Sequence, residues 1–95
     1  MAYGNVLEGL ADPTRRAVFE KLRHGPSAVG RLAEGLGVTR PAVSQHLKVL
    51  EGAGLVRGQR EGARRIYRVD LDGLAELRRY LERMWSDTVE SLRVE

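Results

Sequence analysis

Residues 38–56 constrain the fold of this chain more than any other stretch. Val43, Leu47 and Leu50 recur at i, i+4 and i+7, the spacing of a helical stripe packed on a core. Arg40, Pro41, Ser44, Gln45 and Lys48 face the other way, and all but Pro41 carry polar groups. Thr39 can cap the helix start, Pro41 fits its first turn and Gly54 fits its stop. A helix with one apolar and one polar face can pack on a domain and still lie in the major groove of DNA. Just upstream, Val29 to Leu36 reads as another helix, with Leu32, Ala33 and Leu36 inward and Gly37 at its end. The link Gly37-Val38-Thr39 is so short that the two helices must cross sharply, as in a helix-turn-helix.

The flanking segments complete a mainly helical α+β domain, expected to be a single unit over residues 1–95. A first helix is expected over Tyr3 to Leu10, with Val6, Leu7 and Leu10 on one side. Asp12 as cap and Pro13 as first residue start a second helix that runs to about His24 and stops at Gly25-Pro26. It is expected to bury Ala17, Val18 and Leu22, with Phe19 partly buried. After Gly54 the pattern turns extended. Leu55 to Arg60 and Arg64 to Val69 are two short strands joined through Glu61-Gly62-Ala63, with Gly62 free to take a positive φ. Asp70 or Asp72 then starts a last helix of about twenty residues with a stripe of Leu74, Leu77, Leu81, Met84, Trp85 and Leu92. About five helices with a two-stranded wing make a winged helix-turn-helix.

Composition narrows the function. Net charge is +3, and fourteen arginines against two lysines supply the basic side. Guanidinium forks match phosphate oxygens and guanine edges, so the bias is toward polyanions. With no cysteine, disulfides, thiolate metal sites and thiol redox sensing are excluded. No apolar run is long enough to span a bilayer and no signal pattern opens the chain, so the expected compartment is the cytoplasm. The two histidines, His24 and His46, lie on separate helices with no motif around them, which speaks against an enzyme. His46 shares a side with Ala42, Val49 and Ala53 and reads as a partly buried structural residue or a phosphate donor rather than a ligand; His24 reads as a helix-end residue.

In order and in detail, the elements resemble the ArsR/SmtB family of winged-helix repressors. The resemblance is carried by Leu10 to Arg16, Val29 to Ala33, Pro41 to Leu50 running into Ala53 to Val56, and by Arg60-Glu61-Gly62 and Tyr67-Arg68-Val69 in the wing. It implies a homodimer, joined through the first and last helices, that sits on an inverted-repeat operator in double-stranded DNA and blocks transcription. Such a regulator would work in the cytosol, at the nucleoid. The interface would draw on Val6, Leu7, Leu10, Leu77, Leu81, Met84 and Trp85. A last helix so rich in apolar residues has more surface than a small core can cover, which agrees with a dimer; packing back on its own subunit is the alternative.

The family's base-reading face falls on Arg40, Pro41, Ser44 and Gln45, with Lys48 beside them and Thr39 at the start. Arg40 can fork onto guanine O6 and N7, and Gln45 can pair with adenine N6 and N7. Ser44 and Lys48 fit phosphate contacts, and Pro41 fits a helix-start role. In the wing, Arg60 and Arg64 lie nearest the turn and are the expected contacts to the minor groove or its phosphates. Arg57, Arg65 and Arg68 are the other wing arginines, and Arg65 alternates against Arg64 and Arg68. Arg15 and Arg16 can reach phosphates or pair with Glu20. Two departures from the family stand out: Ala28 replaces a common Ser or Thr cap, leaving Ser27 to cap or a weaker start, and Ala63 replaces a common wing arginine.

Many relatives sense metals or thiol chemistry. Here the third helix has neither Cys nor His, and the last helix offers Asp72, Glu76, Glu82, Asp87 and Glu90 without an imidazole. Soft and borderline metals want thiolate or imidazole, so no metal or other cofactor is expected. The alternatives are a metal-responsive repressor using carboxylates and histidine, and a winged helix that binds proteins without reading DNA. An organic effector between subunits, a protein effector, or none at all fit the sequence equally.

Overall fold

Side-chain caps set the starts of three of the helices. The computed structural model describes residues 2–93, with side chains from Asn5 onward; Met1, Val94 and Glu95 of the expected 1–95 domain lie outside. Its elements are α1 (Ala2–Ala11), α2 (Pro13–Leu22), β1 (Ser27–Ala28), α3 (Val29–Leu36), α4 (Arg40–Gly52), β2 (Val56–Glu61), β3 (Arg64–Val69) and α5 (Leu71–Leu92). Asp12 Oδ1 accepts the Arg15 N–H at 2.9 Å, Thr39 Oγ1 that of Ala42 at 3.2 Å, and Asp70 Oδ1 that of Asp72 at 3.0 Å. The stop of α4 is a Schellman turn. Gly54 sits at φ 79°, its N–H donates to Glu51 O, and the Leu55 N–H reaches back to Leu50 O, each at 3.0 Å. That places Leu55 in the turn, so the first wing strand begins at Val56 and not, as the sequence pattern suggests, one residue earlier.

The core collects one face of every helix from α1 to α4. Val18, Val43, Leu47, Leu50 and Leu55 are fully buried, with Val6, Leu22, Leu32 and Val56 almost so. The α4 stripe is therefore as its spacing predicts. Phe19 is more deeply placed than expected, at 4% exposure, while Ala17 stays half-buried. The second helix ends at Leu22, leaving His24 in the following turn.

The wing is part of a three-stranded antiparallel sheet in the order β1-β3-β2, not a free two-stranded hairpin. Ser27 pairs with Tyr67 and Ala28 with Ile66, tying the α2–α3 connection to β3. Ser27 does not cap α3: its hydroxyl lies 3.5 Å from Ala28 O, and α3 begins with no side-chain cap at all. β2 and β3 pair from Val56↔Val69 to Glu61↔Arg64 around the two-residue turn Gly62-Ala63. Gly62 alone carries the positive φ there (66°), as the first position of a type II′ turn requires.

The last helix has a different character. None of its residues is buried; Leu74 and Leu77 pack against the core, and the helix contacts α1. Beyond them Leu81, Met84, Trp85 and Leu92 stand exposed.

Candidate nucleic-acid interface

Because Val43, Leu47 and Leu50 are locked in the core, the opposite face of α4 is held rigidly toward solvent. Thr39, Arg40, Pro41, Ser44, Gln45 and Lys48 are all exposed. The Thr39 hydroxyl serves the helix as its cap, and Pro41 occupies the first turn. Ser44, Gln45 and Lys48 form the outward strip. Arg40 takes another path: its guanidinium lies on Gly30 of α3, so close that a Cβ there would sit 2.8 Å from Nη2 and 3.0 Å from Cζ.

The wing arginines divide by strand register. Arg60 stands opposite Arg65 and shares a face with Tyr67, whereas Arg64 stands opposite Glu61 and shares the other face with Arg57 and Arg68. Arg60 and Arg64 therefore project from opposite faces of the ribbon tip, and both are exposed. Arg68 is engaged at 2.9 Å with Glu61. The Arg65 guanidinium lies over the Tyr67 ring at 5.9 Å from its centroid. Gly58 makes room for this stack, since a Cβ there would fall 2.7 Å from Tyr67 Cε2 and 2.8 Å from Arg65 Nε.

Arg15 and Arg16 turn inward to the protein. Arg15 Nε and Nη2 donate to Gly9 O and Glu8 O at 2.6 and 3.1 Å, and Arg16 Nη1 donates to Leu10 O at 2.9 Å. The last carbonyls of α1 lack intrahelical donors, and these two side chains supply them. Glu20, the partner that the sequence offers them, pairs with Arg23 instead. The Arg15 N–H, with smaller contributions from the Thr14 N–H and then from the neighbouring charges of Arg15 and His46, holds the Asp12 carboxyl below the usual range. His46 is half-buried, as its helix side suggests.

Residues assigned to a subunit interface also divide. Val6 is 1% exposed and belongs to the core of its own chain, so it cannot contribute to an interface. It lies where α1 meets the other helices, a distinction that periodicity on a short helix does not make. Leu10 and Leu77 are half-buried against the same core. Leu7, Leu81, Met84 and Trp85 are the exposed members, Trp85 at 73%.

Comparison with known proteins settles the family. Residues 10–59 match a family described as a helix-turn-helix domain. Over 79 residues the chain is 58% identical to the HTH-type transcriptional regulator Rv2034 of Mycobacterium tuberculosis, covering 83% of this chain and 74% of that one. The chain belongs to the ArsR/SmtB family. It is also 42% identical over 76 residues to the transcriptional repressor SmtB of M. tuberculosis, covering 80% of this chain but only 56% of the relative. Among solved structures, the homodimeric winged helix-turn-helix DNA-binding domain of a possible ArsR-family regulator from Mycobacterium bovis aligns with a TM-score of 0.73 at 26% identity. That alignment covers 99% of this chain and 87% of the other.

Within this family frame, three features of the interface lay beyond sequence reading. The seat of Arg40 on Gly30, the Tyr67–Arg65 stack and the inward turn of Arg15 and Arg16 all depend on contacts between elements that no periodicity encodes. Gly58 inside a strand was the one available signal, because an interior strand glycine marks a close approach. Among the described residues, no three His, Asp or Glu side chains come close enough to hold a metal ion. No helix of the described chain is long and apolar enough to cross a membrane.

Proposed function

We propose that this chain is a DNA-binding transcriptional repressor that sits as a homodimer on an inverted-repeat operator. The observation that carries this is the rigid polar strip of α4, fully exposed, with a basic wing on the same sheet-and-helix frame. α4 enters the major groove, where Gln45 pairs with adenine and Ser44 and Lys48 fix the register on phosphates. Arg60 and Arg64, on opposite faces of the wing tip, reach the two phosphate walls of the adjacent minor groove. Leu7, Leu81, Met84 and Trp85 cover the same patch of a second copy, as the homodimeric state of the M. bovis domain suggests. The protein acts by occupying DNA, without catalysis, and works in the cytoplasm at the nucleoid.

Selection of bound fragments from the source genome tests this. The expected result is a palindromic site whose affinity falls steeply with salt, since each phosphate contact adds about −0.9 to the slope of log K against log salt. Gln45→Ala should relax preference at one position in each half-site. Protein that selects no fragment at low salt is not a sequence-specific repressor, and a protein-binding winged helix then becomes the reading.

A further inference from the structure

Between the start of α3, the start of α4 and the wing tip lies an open cleft of about 590 Å³. Its walls carry four arginines, Arg31, Arg40, Arg64 and Arg65, and one carboxylate, Glu34. None of the four is in an ion pair among the described residues, whereas Arg23, Arg68 and Arg79 each have a carboxylate partner. Unpaired like charges gathered around one concavity repel one another until an anion enters it, and guanidinium forks match the oxygens of a phosphate. Arg40 is the member that decides the reading. Its guanidinium rests on Gly30, where the missing side chain leaves it a seat, and so borders the cleft instead of running along the strip of Ser44, Gln45 and Lys48.

We propose that this cleft clamps one phosphodiester of the DNA backbone, and that Arg40 serves the clamp, with Arg31 and Arg65, rather than reading a base. The inference rests on the chain being a DNA-binding protein and relocates the source of its specificity. Sequence preference then comes from the middle of α4, around Gln45, while the start of α4 contributes affinity common to all sequences. The clamp also gives Arg65 a role: its stack on Tyr67 holds it beside the cleft.

The test uses the full chain with two duplexes of equal length, one carrying the selected operator and one with its bases scrambled, titrated over a range of salt. Arg40→Ala and Arg31→Ala are each expected to weaken both duplexes by the same factor. The double variant is expected to lower the salt slope by about one, as for a single phosphate contact. Arg40→Lys keeps the charge but not the fork; it should retain most binding to the scrambled duplex and lose no selectivity. A loss from Arg40→Ala confined to the operator duplex makes Arg40 a base reader and overturns the proposal. So does unchanged binding of both duplexes by Arg31→Ala. A wild-type chain that binds neither duplex removes the DNA-binding reading itself, and the clamp with it, whereas failure of the clamp alone leaves wild-type binding intact. Both side chains are exposed, so matching thermal midpoints for all variants are expected and confirm that folding is not being measured.

Discussion

Asp12 caps the second helix, and Arg15 ties that capped end back to the first. It caps α2 by accepting the Arg15 N–H, and the same Arg15 turns its guanidinium back to the carbonyls that end α1. The carboxylate is the form that accepts this hydrogen bond best, so folding lowers its pKa. A group with a lowered folded pKa stabilises the fold above its unfolded value, about 3.9 for Asp. That contribution disappears as pH falls from there through the lowered folded value. Asp12→Asn keeps a capping oxygen without the titration. The thermal midpoint of the wild type should exceed that of Asp12→Asn at pH 6, and the gap should close as pH drops below about 4. A gap that stays constant with pH would mean the charge plays no part. The cap itself was legible in the sequence, because Asp-Pro is a local helix-start signal. The roles of Arg15 and Arg16 were not, because their acceptors are chosen by the angle at which α2 leaves α1.

At the scale of elements, α5 is fixed where two backbones touch. The Asp70 N–H donates to Leu55 O at 2.8 Å, and the first turn of α5 comes down on the Gly54 turn. A Cβ on Gly73 would sit 1.7 Å from the Gly54 carbonyl oxygen, a backbone atom with no rotamer through which to yield. In an isolated helix, Gly→Ala gains about 1 kcal/mol. Here Gly73→Ala should instead cost about 1–3 kcal/mol, the range for overpacking, and displace the start of α5. Urea unfolding checks this; a midpoint at or above the wild type refutes the contact. Nothing local marks Gly73, since its constraint comes from Gly54 in another element. The same logic separates what was legible among the elements. α3 and α4 follow from apolar spacing and from Thr39 and Gly37, and the wing from Gly62. β1 escaped because Ser27 and Ala28 are too few to show a period and become a strand only by pairing with β3.

The whole molecule is 61 Å long and only 24 by 22 Å across, a shape that a free-standing globule of this size does not need. The length comes with α5, which buries no residue of its own and leaves Leu81, Met84 and Trp85 exposed, Leu81 and Trp85 on an open face beside Arg78, Glu82 and Ser86. Leu7 is exposed as well, on α1, the helix that α5 contacts. In a twofold interface one substitution acts twice, because the same patch meets itself. Burying a leucine is worth roughly 1.5–3 kcal/mol, and a carboxylate in its place adds a desolvation cost on both sides of the seam. Leu81→Glu should therefore sediment as a folded monomer at concentrations where the wild type is a dimer. A repressor must hold two α4 helices about 34–36 Å apart to meet successive major grooves on one side of DNA. The monomer keeps one reading strip and one wing, so its affinity for a scrambled duplex should fall modestly and its affinity for the palindrome much further. An unchanged sedimentation profile would place the α5 stripe outside the dimer seam, and equal losses on both duplexes would separate dimerisation from operator recognition.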